Sequence, residues 1–239
     1  MLADPAVLGT ATDELYRAFA DYPRPPWFQG CACCWAGTPT DRGVVAVTAP
    51  GGDRELRTLT ADELEELAIQ LPHLGGTIEV YKHYLPRLLE LAAANAFDHP
   101  ELEIIGCNLN YANLWTGWPA PEAGAIRGFL HAYWQDQLAG PPCRIGEALT
   151  AVAAADPDID WYLDRWLAFE TPAAARNLER YLADNSHALA RGRLADDFFV
   201  TDHGPGGPNQ ARVIAWLQDP ATHAALEKRL LRWDRPRNN

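Results

Sequence analysis

Three cysteines fall within four positions of "QGCACCWAG", residues 29–37: Cys31, Cys33 and Cys34. Cys31 and Cys34 have the C-x-x-C spacing at which two thiolates can reach one tetrahedral zinc, and Gly30 and Gly37 permit the tight backbone that such a turn needs. This is half of a metal site. The chain has no second C-x-x-C, so further ligands would have to come from Cys33, from Cys107 or Cys143, or from His73, His83 or His99. The expected metal set is Cys31, Cys33, Cys34 and His83, with zinc as the cation. Two other readings stay open. A dithiol pair would need a strand leading into a helix whose dipole lowers the thiol pKa, whereas the preceding "RPPWFQ" reads as an extended loop. Alternatively the thiols are small apolar groups packed under Trp27 and Trp35.

Two further groupings could bind a ligand. Glu79, His83 and Arg87 recur every four residues, a polar stripe on a helix whose opposite face carries Tyr81, Tyr84, Leu85, Leu88 and Leu89. The stripe either grips a ligand or is a solvated face with its own ion pairs. In "NLNYANLWTGWP", Asn110, Tyr111, Asn113, Trp115 and Trp118, with Asn108 beside them, combine amides that orient a ligand with indoles that wall a pocket. Tryptophans used as wedges in the core are the competing reading.

Other apparent motifs fail. Ser186 is the single serine, and its context "DNSHA" is not a nucleophile elbow. "DPDID", residues 156–160, resembles the start of a calcium loop, but Trp161 replaces the required glycine and Leu167 the twelfth-position glutamate, so it reads as a helix cap at Asp158. "DHGPGGPNQ", residues 202–210, has glycines without the Gly-Lys-Ser/Thr that holds phosphates, and reads as a loop carrying Asp202 and His203.

Composition limits what these residues can serve. The 239 residues, 48% hydrophobic, can fill a sizeable core, and a formal net charge of -12 argues against binding nucleic acid. The basic C-terminal residues Lys228, Arg229, Arg232, Arg235 and Arg237 read as a solvated helix end. There are two lysines, Lys82 and Lys228, against eighteen arginines, which we read as codon bias. "MLADPAVLGTATDEL" has no secretory pattern and no apolar run approaches membrane-spanning length, so the expectation is a cytoplasmic protein without membrane association. A reducing compartment and five cysteines favour metal ligation or free thiols over disulfides.

The elements that must position these residues are mostly helical. Helices are expected over residues 12–21, from Thr60 through "LTADELEELAIQL", over "IEVYKHYLPRLLELAAAN" with Pro86 kinking or dividing it, and then over 119–139, 145–155, 158–169, 171–189, 208–218 and 220–233. Thr60 with Glu63 forms a capping box, and Thr171-Pro172 and Asp219-Pro220 mark helix starts. "VVAVTAP" reads as a short strand paired with "ELRTL" across Gly51-Gly52, and "LEIIGC" as another short strand. Short connections favour antiparallel neighbours. The expected fold is mainly α, an antiparallel helical array, of which a solenoid-like stack is one form, with a small irregular or β-hairpin N-terminal part. It would be one domain over 1–239, divisible at "AGPPCR" into a cysteine-loop part, 1–140, and an all-helical part, 141–239.

The Gly-Cys-x-Cys-Cys loop, the capped "LTADELEELA" helix, "YKHYLPRLLEL" and "WTGWP" resemble an uncharacterised group of bacterial helical proteins over roughly residues 12–135. The resemblance implies helicity and no activity. Without a nucleophile–base arrangement or a nucleotide loop, the expected role is an interaction or scaffold module for a protein partner, with a structural zinc at the cysteine loop. The alternative is a thiol- or metal-dependent enzyme acting on a small molecule at Cys31–Cys34.

Overall fold

The structure, a computed structural model, describes residues 5–32, 43–70, 78–98, 102–110, 115–140, 145–195, 200–201, 204–205 and 207–233. It is mainly helical, with a small antiparallel hairpin near the N-terminus. In chain order the elements are α1 (Pro5–Ala18), β1 (Trp27–Cys31), β2 (Val44–Thr48), a 3-10 turn (Leu56–Thr58), α2 (Ala61–Gln70), α3 (Ile78–Ala93), α4 (Leu102–Asn110) and a second 3-10 turn (Trp115–Gly117). There follow α5 (Ala120–Ala139), α6 (Ile145–Ala155), α7 (Ile159–Ala168), α8 (Pro172–Leu189), β3 (Val200–Thr201), β4 (Gly204–Pro205), α9 (Gly207–Gln218) and α10 (Pro220–Trp233).

Local chemistry sets several helix starts. Thr171 accepts from the Ala174 amide at 3.1 Å, with Pro172 at the first helical position, where its missing N–H costs nothing. The Asp219 carboxylate takes the Ala221 amide at 2.9 Å. At α2, Glu63 reaches back to the Thr60 amide at 2.9 Å, the glutamate half of a capping box. At α7, however, the side chain of Asp158 caps nothing. Asp156 does the work instead, accepting from the Asp158 amide and from the Tyr162 hydroxyl, each at 3.0 Å.

Several local expectations are corrected. The partner of β2 is β1, in the register Trp27↔Thr48 to Cys31↔Val44, while "ELRTL" forms the first 3-10 turn. The residues before Cys31 are therefore a strand and not a loop, and the ladder extends to the Ala32 amide, which donates to the Gly43 carbonyl at 2.9 Å. "LEIIGC" lies in α4, because a short apolar run fits a buried helix as well as a strand. Within "DHGPGGPNQ", Gly204–Pro205 pairs with Val200–Thr201 as a two-residue ribbon, while Asp202 and His203 lie outside the described residues. Pro86 is buried inside an undivided α3.

The chain forms two compact units, Gly9–Phe129 and a second built from residues 1–8 with Leu130–Asn239. In the first, α2, α3 and α4 pack on one another around fully buried Leu64, Tyr84, Leu85 and Leu88. In the second, α7 packs on α9 and α8 on α10. Trp166 stacks on Trp216 there, with centroids 5.7 Å apart, and meets Trp134 edge-on at 5.4 Å. The indoles of Trp134 and Trp166 donate to the carbonyls of Tyr162 and Ala174 at 2.9 and 3.0 Å, so these wedges are buried with their polar atoms satisfied.

Candidate functional site

A buried cluster of polar groups in Gly9–Phe129 surrounds Lys82. Its positions one and two turns on, Leu85, Pro86 and Leu89, all lie on the buried face of α3, and Lys82 itself is 6% exposed. Its partner Glu122 sits in the first turn of α5, where the positive end of the helix dipole favours a carboxylate. The third member, Tyr22, follows the C-terminal end of α1, in a turn closed by its amide on the Phe19 carbonyl.

These groups form a closed ring. Lys82 Nζ lies 2.6 Å from Glu122 Oε2 and donates to the Tyr22 hydroxyl at 3.0 Å, and that hydroxyl donates to Glu122 Oε1 at 2.6 Å. Oε2 receives no well-directed hydrogen bond, so its contact with Nζ is ionic. The ammonium also faces the Trp118 ring, 4.4 Å from its centroid. Burial disfavours the charge, but contact with the Glu122 carboxylate and with the Tyr22 hydroxyl that accepts from it outweighs that cost, and Lys82 titrates above its ordinary range. The lysine is thus held charged.

A second layer adjoins the first. His83 Nδ1 is 2.7 Å from the Tyr22 carbonyl, and Arg24 Nε points at His83 Nε2 from 3.4 Å. With Nδ1 donating to the carbonyl, Nε2 is the acceptor toward the guanidinium. Burial first, then the Arg24 charge, pushes the imidazole below its ordinary pKa against the pull of the Tyr22 carbonyl. Arg24 also bonds the Gly52 carbonyl, and Tyr84 of α3 donates to the Pro50 carbonyl at 3.1 Å, so these two side chains hold the turn after β2. At that turn Gly51 has φ +95, and an added Cβ would meet Leu59 at 2.6 Å, so glycine is required on both counts.

Of the residues singled out in the sequence, the structure brings His83 and Trp118 to this cluster. Trp115 is fully buried, with the Arg127 guanidinium 5.2 Å from its ring centroid. Asn110 ends α4, and Tyr111 and Asn113 lie outside the described residues, as do Cys33 and Cys34. Cys31 ends β1 opposite Val44. In the polar stripe, Glu79 is exposed, while Arg87 donates to the Leu59 carbonyl at 2.8 Å and to Glu90 at 2.6 Å. Tyr22, Lys82 and Glu122 were missed by sequence reasoning. The available signal was a lysine among the buried positions of an amphipathic helix, in a chain with one other lysine and eighteen arginines.

As for metal, no group of three or more His, Cys, Asp and Glu able to hold an ion occurs among the described residues. His83 has both ring nitrogens engaged, so it would join a cysteine-held zinc only if Arg24 moved away. Cys107, half-buried on α4, is pushed up to about 11 by burial and then by Glu103, which keeps it a thiol. Comparison with protein families, with curated proteins and with solved structures found no match.

Proposed function

We propose that the chain is a non-catalytic interaction module that meets a protein partner through the outer face of the β1–β2 ribbon. The observation that carries this reading is the exposure of Trp27, 55%, and Val44, 61%. The register places both on one face: Thr48 stands opposite Trp27, and Val44, Ala46 and Thr48 alternate to the same side of β2. Gln29, Ala46 and Thr48 complete that face and are exposed, and none of the five is charged. The other face carries buried Phe28 and half-buried Val45 and Val47. On a protein with net charge -12, an uncharged ribbon led by a tryptophan is the surface expected of a contact with another protein.

The ionisable groups of the first unit support the same reading. Lys82 is held charged, the phenols of Tyr81 and Tyr84 are pushed upward by burial, and Cys107 is held as a thiol. A base or nucleophile would be moved in the opposite direction, toward working pH. The test is capture from lysate by the parent and by the Trp27→Ser, Val44→Ser double variant. A specific partner lost on the double substitution supports the module; a partner retained unchanged contradicts it.

A second reading, thiol- or metal-dependent chemistry at Cys31–Cys34, is favoured by one observation, that Cys31 ends a strand. Within the interaction reading, a structural zinc held by the same cysteines would fix the ribbon's far end.

A further inference from the structure

We propose that Tyr22, Trp118 and Glu122 form an ammonium-specific binding site, occupied in cis by Lys82, which takes a primary alkylammonium ion when the Lys82 side chain is removed. The inference is independent of the ribbon reading.

Residue usage is the first argument. The ion pairs of Arg17, Arg54, Arg57, Arg87, Arg212 and Arg232 are all made by arginine, in keeping with a chain that has two lysines among twenty basic residues. The buried pair is made by lysine. Codon bias runs against that choice, but exposed Lys228 runs against it too, so the demand has to be read from the geometry.

The geometry states the demand. The partners of Nζ are a carboxylate oxygen at 2.6 Å, a phenolic oxygen at 3.0 Å and an indole face at 4.4 Å. An ammonium is a compact charge with three donors that diverge from one centre, whereas a guanidinium presents its donors in one plane and is larger. The Tyr22 hydroxyl donates its hydrogen bond to Glu122 Oε1, so it offers the cation a lone pair, which suits a donor-only group; the size and divergent donors of the ammonium are what set it apart from a guanidinium. Phe19 and Tyr81 abut Trp118 edge-on, at 6.0 and 6.1 Å, and fix the ring toward the charge. An aromatic face beside a carboxylate is the setting in which desolvated cations are held most firmly. Tyr22 and Trp118 are half-buried, so a small cation has a route in from solvent.

The test uses thermal midpoints of the full chain at pH 7, with n-propylammonium chloride, n-propylguanidinium chloride and potassium chloride at equal ionic strength. Lys82→Ala deletes the atoms of one n-propylammonium. Its midpoint is expected to fall by about 6 °C or more, and n-propylammonium is expected to recover at least half of that loss saturably, with no such recovery from the other two salts. Equal shifts from n-propylammonium and potassium would overturn the proposal. Should Lys82→Ala not fold, Lys82→Arg and Lys82→Met decide it. Arginine recovering less than half of the methionine variant's loss supports an ammonium-specific site; recovery of more than half overturns it.

Discussion

Lys82 Nζ and Glu122 Oε2 stand 2.6 Å apart, with side chains 7% and 8% exposed, in a ring closed by Tyr22. Removing one member leaves the other charge buried without compensation, while removing both as apolar residues leaves none. Glu122→Leu is therefore expected to cost about 3–5 kcal/mol in urea unfolding, and Lys82→Met combined with it to restore most of that loss. Additive losses would show that the two side chains do not interact as described.

The start of α2 has a pH signature. Glu63 is held down to about 2, first by the Thr60 amide and then by Arg54, against an ordinary value of 4.5. A depressed carboxylate contributes stability above its unfolded pKa and loses it as pH falls through the folded one. The parent's thermal midpoint should thus fall more steeply between pH 4.5 and about 2 than that of Glu63→Gln. Parallel profiles would refute the cap's electrostatic role.

Cys107 should be slow to alkylate. With a pKa pushed to about 11, only ~0.1% is thiolate at pH 8, so iodoacetamide should label it far more slowly than a free cysteine, by a factor on the order of a hundred or more in native protein. Peptide mapping by mass spectrometry reads that site separately from the other cysteines. Labelling at the rate of unfolded chain would contradict its burial.

If the cysteine loop holds zinc, protein purified without added metal should contain about one ion per chain. Elemental analysis should show it lost in both Cys31→Ala and Cys34→Ala, with a lower thermal midpoint, and retained in His83→Gln, because His83 is committed to Tyr22 and Arg24. Metal-free parent protein with equally stable variants would dismiss the zinc.

How far this was legible in sequence depends on range. Thr171-Pro172 and Asp219-Pro220 announce their helices because a cap is a contact between neighbours. β1 was hidden because two prolines precede it and its ladder partner lies across residues 32–43. The apolar run "LEIIGC" is too short for periodicity to separate strand from helix. The Lys82 cluster was illegible as a site because Tyr22 is 60 residues from Lys82 and 100 from Glu122, and no local pattern joins them. What could be read locally was Lys82 alone, a cation on a buried stripe.

Photo-crosslinking from the outer ribbon face tests most directly whether that face meets a partner, as proposed. A benzoylphenylalanine at position 27 should capture one protein, identified by mass spectrometry, that the same probe at Arg180, on an exposed stretch of α8, does not capture. Added Val44→Ser should reduce the yield at least several-fold. The same adducts from both positions, or a position 27 adduct indifferent to Val44→Ser, would contradict the account.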